Sequence, residues 1–286
     1  MKLAAALTFA LGLTGVAAVG LAQSPGQSSQ PGGSSQTGRA PIQTKTAAEY
    51  QAYQAAIANA KNPEAMEKAA DDFAAKFPDS AVRVLLYRSA MNAYQTAGSA
   101  QKMMDVGLKV LNLDKDDPEA LISVAEVLQE QTSPTDLDKD KRATRTIDYA
   151  QHALETMDTD LAVPTGTAPE RVETYKKTLR STAFAIIGTV QYMQEQYADA
   201  EGNLRKAIEA DAANPDPVVV LRLALALDQQ KKYSDALQQA NKAVELTQEG
   251  TDVGKMARNE RDRLVIEVRG RAPQSSAPQS SNSSSH

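Results

Sequence analysis

Two stretches of the chain decide the fold: residues 196–209 read QYADAEGNLRKAIE, and residues 232–245 read KYSDALQQANKAVE. Both place apolar side chains at steps of four and three, which lie on one face of a helix. The positions concerned are Ala200, Leu204 and Ala207 in the first stretch and Ala236, Ala240 and Ala243 in the second. Because mostly small side chains stand there, each helix can cross a neighbour closely, so the two stretches predict a repeated pair of helices.

Residues ahead of the first stretch complete the repeating unit. Phe184 is followed by Ile187 and Gly188, so a bulky residue precedes an Ile-Gly step. This pattern resembles the tetratricopeptide repeat, a helix–turn–helix unit of about 34 residues. The resemblance covers 181–247 most closely. It implies an all-α, tetratricopeptide-type right-handed α-solenoid of antiparallel helix pairs, and a scaffold that binds other proteins.

Earlier parts of the chain predict more helices of the same kind. Asparagine or aspartate stands directly before proline at 62–63, 117–118 and 216–217, which is typical of helix N-termini. The segment FAAKFPDS at 73–80 resembles a unit common in exported bacterial envelope proteins of this family. The predicted helices span 47–60, 64–77, 81–96, 100–113, 119–131, 142–157, 170–194, 198–211, 218–230 and 234–247, with a charged C-terminal capping helix over 252–269.

The two ends of the chain differ from this repeat domain, which is assigned to 46–269. Lys2 precedes an uncharged run, and Gly20 and Ala22 are the small residues that a signal peptidase reads, so 1–22 is predicted to be a signal peptide. The alternative is an uncleaved N-terminal membrane anchor with the repeat domain outside. Segments 23–45 and 270–286 are rich in Ser, Gln, Gly and Pro and are predicted to be a disordered linker and tail.

Composition excludes several functional classes. The formal net charge is −5, which offers no basic surface for nucleic acid. The chain has no cysteine, and His152 and His286 are its two histidines, so no catalytic residue, cofactor or metal site is predicted. Asp136, Asp138 and Asp140 have the spacing that begins a calcium loop, but the glycine and the closing glutamate are missing.

A protein-binding groove is predicted along the first helix of each pair, on the side away from the packed face. The residues that this places in the groove are Arg88, Asn92, Gln95, Glu126, Gln129, Thr189, Tyr192, Leu221, Leu225 and Asp228. Arg88 and Asn92 are interpreted as a solvated helix face in preference to a specific anchor. Leu221 and Leu225 either contact a partner or pack against the capping helix, and the sequence leaves both alternatives open.

Two inserted segments, 132–141 and 158–168, interrupt the repeat, and long loops in compact domains are often functional or disordered. Taken together, the sequence predicts a non-enzymatic scaffold or adaptor, periplasmic or secreted, that binds a protein or peptide segment in its groove. The alternative is a structural protein of envelope assembly or of the cell wall. The identity of the partner and the oligomeric state stay open.

Overall fold

The computed structural model describes residues 42–59, 62–133, 135–163 and 166–271, and the regular structure within these ranges is helical apart from one isolated bridge residue, Thr44. The helices are α1 (Ala47–Asn59), α2 (Pro63–Lys76), α3 (Arg83–Thr96), α4 (Ala100–Leu113), α5 (Pro118–Gln131), α6 (Lys139–Asp160), α7 (Pro169–Met193), α8 (Tyr197–Ala210), α9 (Pro217–Gln229), α10 (Tyr233–Glu245) and α11 (Asp252–Arg271).

Consecutive helices pack as antiparallel pairs, α1 with α2 and so on to α9 with α10. Helix α11 packs on both members of the last pair. The first helices of neighbouring pairs also contact each other, α5 with α7 and α7 with α9. The predicted all-α stack of helix pairs is therefore confirmed, together with a helix that covers its C-terminal end.

Capping side chains explain where three of these helices begin. The side-chain oxygen of Asn62 accepts a hydrogen bond from the Ala65 N–H at 2.8 Å. Asp117 caps α5 in the same way, and Asp216 caps α9. Each cap stands before a proline, which lacks an N–H and therefore leaves no unpaired donor at the first helical position.

Small residues allow the paired helices to approach closely. The alanines at the periodic positions of the two repeated stretches are fully buried in the packed face of α8 and α10. On α7, a Cβ added to Gly188 would lie 2.8 Å from Cγ of Leu204 and 3.1 Å from the Leu204 backbone nitrogen. The crossing of α7 and α8 therefore depends on the absence of a side chain at this glycine.

Three of the turns between the two helices of a pair contain a residue in the left-handed conformation. Gly98 has φ 68°, Glu195 has φ 63° and Lys231 has φ 62°. Glu195 and Lys231 stand at equivalent positions, 36 residues apart, just before the two repeated stretches. The same turn therefore occurs twice, each time with a non-glycine residue in a conformation that side chains disfavour. The turn geometry is therefore set by the packing of the helices it joins.

The structure places several boundaries differently from the sequence prediction. Helix α6 begins at Lys139 because Asp138 accepts from Arg142 through both its backbone and its side chain, and the helix continues to Asp160. The inserted loops are therefore 132–138 and 161–168. At the N-terminus of the domain, Ile42 packs on the core and Thr44 is buried, so these residues belong to the folded part. The predicted signal peptide lies outside the described residues. Of the predicted tail 270–286, Gly270 and Arg271 belong to α11, and the remainder lies outside the described residues.

Helix α7 is much longer than its partner, and an ion-pair cluster holds its N-terminal half. Arg180 lies 2.6 Å and Lys176 lies 3.2 Å from the same carboxylate oxygen of Asp158, near the end of α6. Burial alone would raise the pKa of Asp158, but the two cations lower it overall. The inserted loop 161–168 is thus bridged at its base by charges on both flanking helices.

None of the helices in the described ranges is both long enough and apolar enough to span a bilayer.

The close crossing at Gly188 predicts opposite effects for two glycine substitutions. Gly188→Ala is expected to lower the free energy of unfolding by about 1–3 kcal/mol, because the new methyl group overlaps Leu204. Gly202→Ala is the matched control: nothing lies within 4 Å of an added Cβ there, so the substitution should raise stability by about 0.5–1 kcal/mol through helix propensity. Urea denaturation followed by circular dichroism measures both, and an unchanged midpoint for Gly188→Ala would contradict the packing argument.

Candidate protein-binding groove

The ten predicted groove residues, called the groove face below, differ widely in exposure. All of them lie on the first helices α3, α5, α7 and α9, as expected. Asn92 is exposed; Gln95, Glu126, Gln129, Tyr192, Leu225 and Asp228 are half-buried; Arg88, Thr189 and Leu221 are buried. The face is therefore open along parts of α3, α5 and α7 and closed elsewhere.

Arg88 is not part of a solvated helix face, so that interpretation was wrong for this residue. Its guanidinium forms a buried ion pair with Asp117, the capping residue of α5. Burial by itself would lower the pKa of Arg88, but the carboxylates of Asp117 and Glu119 raise it overall. Asn92, one turn further along α3, is exposed as interpreted. Arg88 therefore joins two repeats and is unavailable to a partner.

The same polar cluster extends to the long helix α7. The Tyr175 hydroxyl donates a hydrogen bond to Glu119 across the α5–α7 contact. Burial raises the pKa of Glu119, and neighbouring Asp117 raises it further against the opposing effect of Arg88. The cluster thus links α3, α5 and α7. No local pattern in the sequence indicates it, since its members lie up to 87 positions apart in the chain, from Arg88 to Tyr175.

At the C-terminal end, the capping helix covers the groove face. Leu221 is 1% exposed and belongs to a buried cluster that includes Ala257 of α11. Leu225 packs against the same cluster. Asp228 forms an ion pair of 2.6 Å with Arg263 of the same helix. Of the two alternatives for the leucines, packing against the capping helix is the one observed. The C-terminal end of the predicted groove is therefore occupied by the chain itself.

The middle of the groove face contains a carboxylate without a cationic partner. Glu126 on α5 is half-buried, and within the described part of the chain no basic side chain forms an ion pair with it. Burial, together with the neighbouring charge of Glu130, raises the pKa of Glu126 to about 7. An ionised carboxylate that is half-buried without a counter-charge lowers the stability of the fold.

Two helix pairs further along the stack, an arginine forms no ion pair with any carboxylate in the described part of the chain. Arg222 on α9 is half-buried and donates a hydrogen bond of 2.7 Å to the hydroxyl of Thr189 on α7. Burial lowers its pKa, opposed by more distant Asp216 and Tyr192. Sequence reasoning missed Arg222. The sequence does mark this arginine as unusual, because the 36-residue offset of the repeats aligns Arg222 with the apolar Ile186 of α7.

Tyr192 presents a half-buried ring beside this arginine. Its ring centroid lies 5.6 Å from that of Tyr197 at the start of α8, with the planes at 63°. This edge-on contact limits the orientation of the ring. Burial raises the pKa of Tyr192, so its hydroxyl stays protonated at neutral pH. A flat, partly apolar surface of this kind is common among residues that dominate protein interfaces.

A cavity of about 380 Å³ adjoins the groove face at Gln129. It lies between the inserted loop after α5, the first turns of α6 and the turn that follows α7, with Val190 and Met193 among its apolar walls. The acidic loop residues Asp136 and Asp138 point instead to Arg142, at 3.9 and 2.9 Å. Their carboxylates are therefore engaged by a cation of the chain, which does not fit the beginning of a calcium loop.

His152 has two acidic neighbours. Its Nε2 lies 2.8 Å from a carboxylate oxygen of Asp116, and its Nδ1 lies 3.6 Å from Glu155. Both ring nitrogens therefore face carboxylates, and Nε2 lies within hydrogen-bonding distance of Asp116. A general base would instead direct one free nitrogen at a substrate.

Comparison with known proteins adds two solved structures of repeat proteins. A thermophilic TPR protein from Thermus thermophilus matches 76% of this chain and 99% of its own length at 13% identity, with a TM-score of 0.43. The MamA protein matches 65% of this chain and 88% of its own length at 14% identity, with a TM-score of 0.42. Because both TM-scores lie below 0.5, the fold is assigned from the helix contacts of the chain itself and not from these similarities. No family model and no curated protein matches the sequence.

The raised pKa of Glu126 predicts a pH-dependent effect of its removal. Because the folded pKa, about 7, exceeds the unfolded value of 4.5, the native state loses stability as the pH rises from about 4.5 through 7. Glu126→Gln should therefore raise the free energy of unfolding at pH 8 by about 1–2 kcal/mol, and by much less at pH 5. The measurement is urea denaturation at both pH values.

Glu209→Gln serves as the control for this measurement, because Glu209 is an exposed glutamate on α8. It should change stability by less than about 0.5 kcal/mol at either pH. A pH-independent effect of Glu126→Gln would show that its carboxylate is well solvated in the folded chain.

Proposed function

We propose that this chain is a non-enzymatic scaffold that binds a peptide or protein segment along the open part of its groove face. The observation that carries this proposal is a row of accessible side chains on three successive first helices: Asn92 on α3, Glu126 and Gln129 on α5, and Tyr192 on α7. Each helix is held by core residues on its other side, so the row forms a rigid surface. Such preorganisation reduces the entropy lost on binding.

The chemistry of this row favours an extended or helical protein segment as the ligand. Amide groups can bond to a backbone, an aromatic ring can pack on an apolar side chain, and a carboxylate can pair with a cation. The row spans three helices at about 8–10 Å between neighbours, which suits a segment of several residues better than a small molecule. The closed residues Arg88 and Leu221 stiffen the surface without contacting the ligand.

We also propose that binding takes place outside the cytoplasm, either in the periplasm or after secretion. The support is the N-terminal pattern of Lys2, an uncharged run and small residues at 20 and 22. Fractionation of cells that express the full chain, with N-terminal sequencing of the recovered protein, tests both export and cleavage. Recovery of an uncleaved chain in the cytoplasm would contradict this part of the proposal.

Site-specific cross-linking tests the groove directly. A photoreactive phenylalanine analogue replaces Gln129 on the groove face, and in the matched control it replaces Glu209 on the exposed side of α8. We expect a discrete cross-linked protein from position 129 in the native compartment and none from 209. Tyr192→Ala and Asn92→Ala should each weaken the same interaction about tenfold, as removal of an interface side chain does.

Circular dichroism and thermal melting establish that each variant is folded. If position 209 cross-links as strongly as 129, or if neither alanine substitution changes the affinity, the groove is not the binding surface. Recovery of cell-wall or outer-membrane components that is unaffected by these changes would favour the structural role at the envelope.

A further inference from the structure

The charges on and beside the groove face fall into two groups. Two charged residues of the groove face are neutralised within the chain: Arg88 pairs with Asp117, and Asp228 pairs with Arg263. Two groups form no ion pair among the described residues, the carboxylate of Glu126 on the groove face and the guanidinium of Arg222 beside it. Half-buried charges are costly without partners, so these two groups have the most to gain from a ligand that brings opposite charges.

The repeat relates the positions of these two groups. Leu121 and Ala125 in α5 occupy the places of Phe184 and Gly188 in α7, so Glu126 is the counterpart of Thr189. Contacts agree with this alignment. The residue one turn before Glu126, Ile122, belongs to the same buried cluster as Ile186 of α7. On the other side of Glu126, Gln129 and Val190 line the same cavity. Glu126 therefore lies at the level of Thr189, one first helix away.

The guanidinium of Arg222 reaches back to that same level. It starts on α9, but its Nη1 lies 2.7 Å from the Thr189 hydroxyl on α7. The separation between the positive and the negative group is then about one interaxial distance, or roughly 8–10 Å. This spacing is too long for a direct ion pair and short enough for one ligand segment to contact both groups.

We propose that the groove binds an extended segment carrying a basic and an acidic side chain about three residues apart, with the basic group against Glu126 and the acidic group against Arg222. This inference rests on the proposed function of the groove. The spacing follows from the rise of an extended chain, about 3.3 Å per residue, over the distance between the two groups. Glu130 adds negative charge at the end that receives the basic group, and the ring of Tyr192 flanks the other end.

The charge pattern also sets the orientation of the ligand across the stack. A segment with its charges reversed would place like charges together at both positions, which disfavours binding. The two charges therefore select the chain direction in which a segment that carries both of them binds.

Selection from a phage-displayed library of random peptides against the full chain tests the inference. Enriched peptides should contain a basic and an acidic residue at the stated spacing, and synthetic versions are then measured by fluorescence anisotropy. Glu126→Gln should weaken the binding of such a peptide about tenfold, and so should replacing its basic residue by glutamine. The two changes together should cost little more than either alone, because they remove the same contact.

Arg222→Gln and replacement of the acidic peptide residue form a second, equivalent cycle. Glu209→Gln is the matched control and should leave the affinity unchanged within about twofold, since it removes the same charge from the exposed face of α8. Circular dichroism confirms that each variant is folded before its affinity is measured.

The outcomes separate this inference from the function on which it rests. Suppose that selected peptides bind and that Tyr192→Ala lowers their affinity. If these peptides lack the charge pair, or if the double-mutant cycles show no coupling, the inference about the charges is wrong but the groove remains the binding surface. If the selected peptides bind equally well to Tyr192→Ala and Asn92→Ala, or if no peptide is enriched, both the groove and the inference are wrong.

Discussion

The close approach of paired helices is the constraint on which the rest of this structure depends. Gly188 against Leu204, and the buried alanines of α8 and α10, leave no room for a larger side chain at the crossing points. Because the crossings repeat along the chain, a displacement at one pair would be passed to the next through shared core residues. The positions of all groove side chains are therefore set by packing on the opposite face of their helices.

Hydrophobic packing alone does not define how neighbouring pairs are aligned along their length, and buried polar contacts supply this information. The ion pair of Arg88 with Asp117 uses the carboxylate that also caps α5, so it couples α3 to the first turn of the next pair. Tyr175 extends the same cluster to α7. Since breaking a buried ion pair leaves an uncompensated charge, a slip of one turn between the pairs is strongly disfavoured.

The helices were predictable because their signals are local. The proline caps and the periodic alanines each lie within one or two turns of the element they define, and the 36-residue offset repeats the alanines. Whether an individual groove residue is exposed or buried was not predictable in the same way. The position of Arg88 on α3 is the same whether it meets solvent or Asp117, and the burial of Leu221 depends on where α11 folds back. Both depend on contacts between distant segments, which periodicity does not report.

The open part of the groove combines two properties that usually conflict. A stack of helices gains stability by neutralising its buried charges, yet neither Glu126 nor Arg222 forms an ion pair with another residue of the described chain. Their hydration is already reduced in the free chain, so a ligand that supplies both counter-charges removes little additional water from the protein side. A ligand that supplies neither would bury the two charges further without compensation. Selectivity in such a groove therefore arises mainly from the penalty on wrong partners, and it requires no mobile element of the fold.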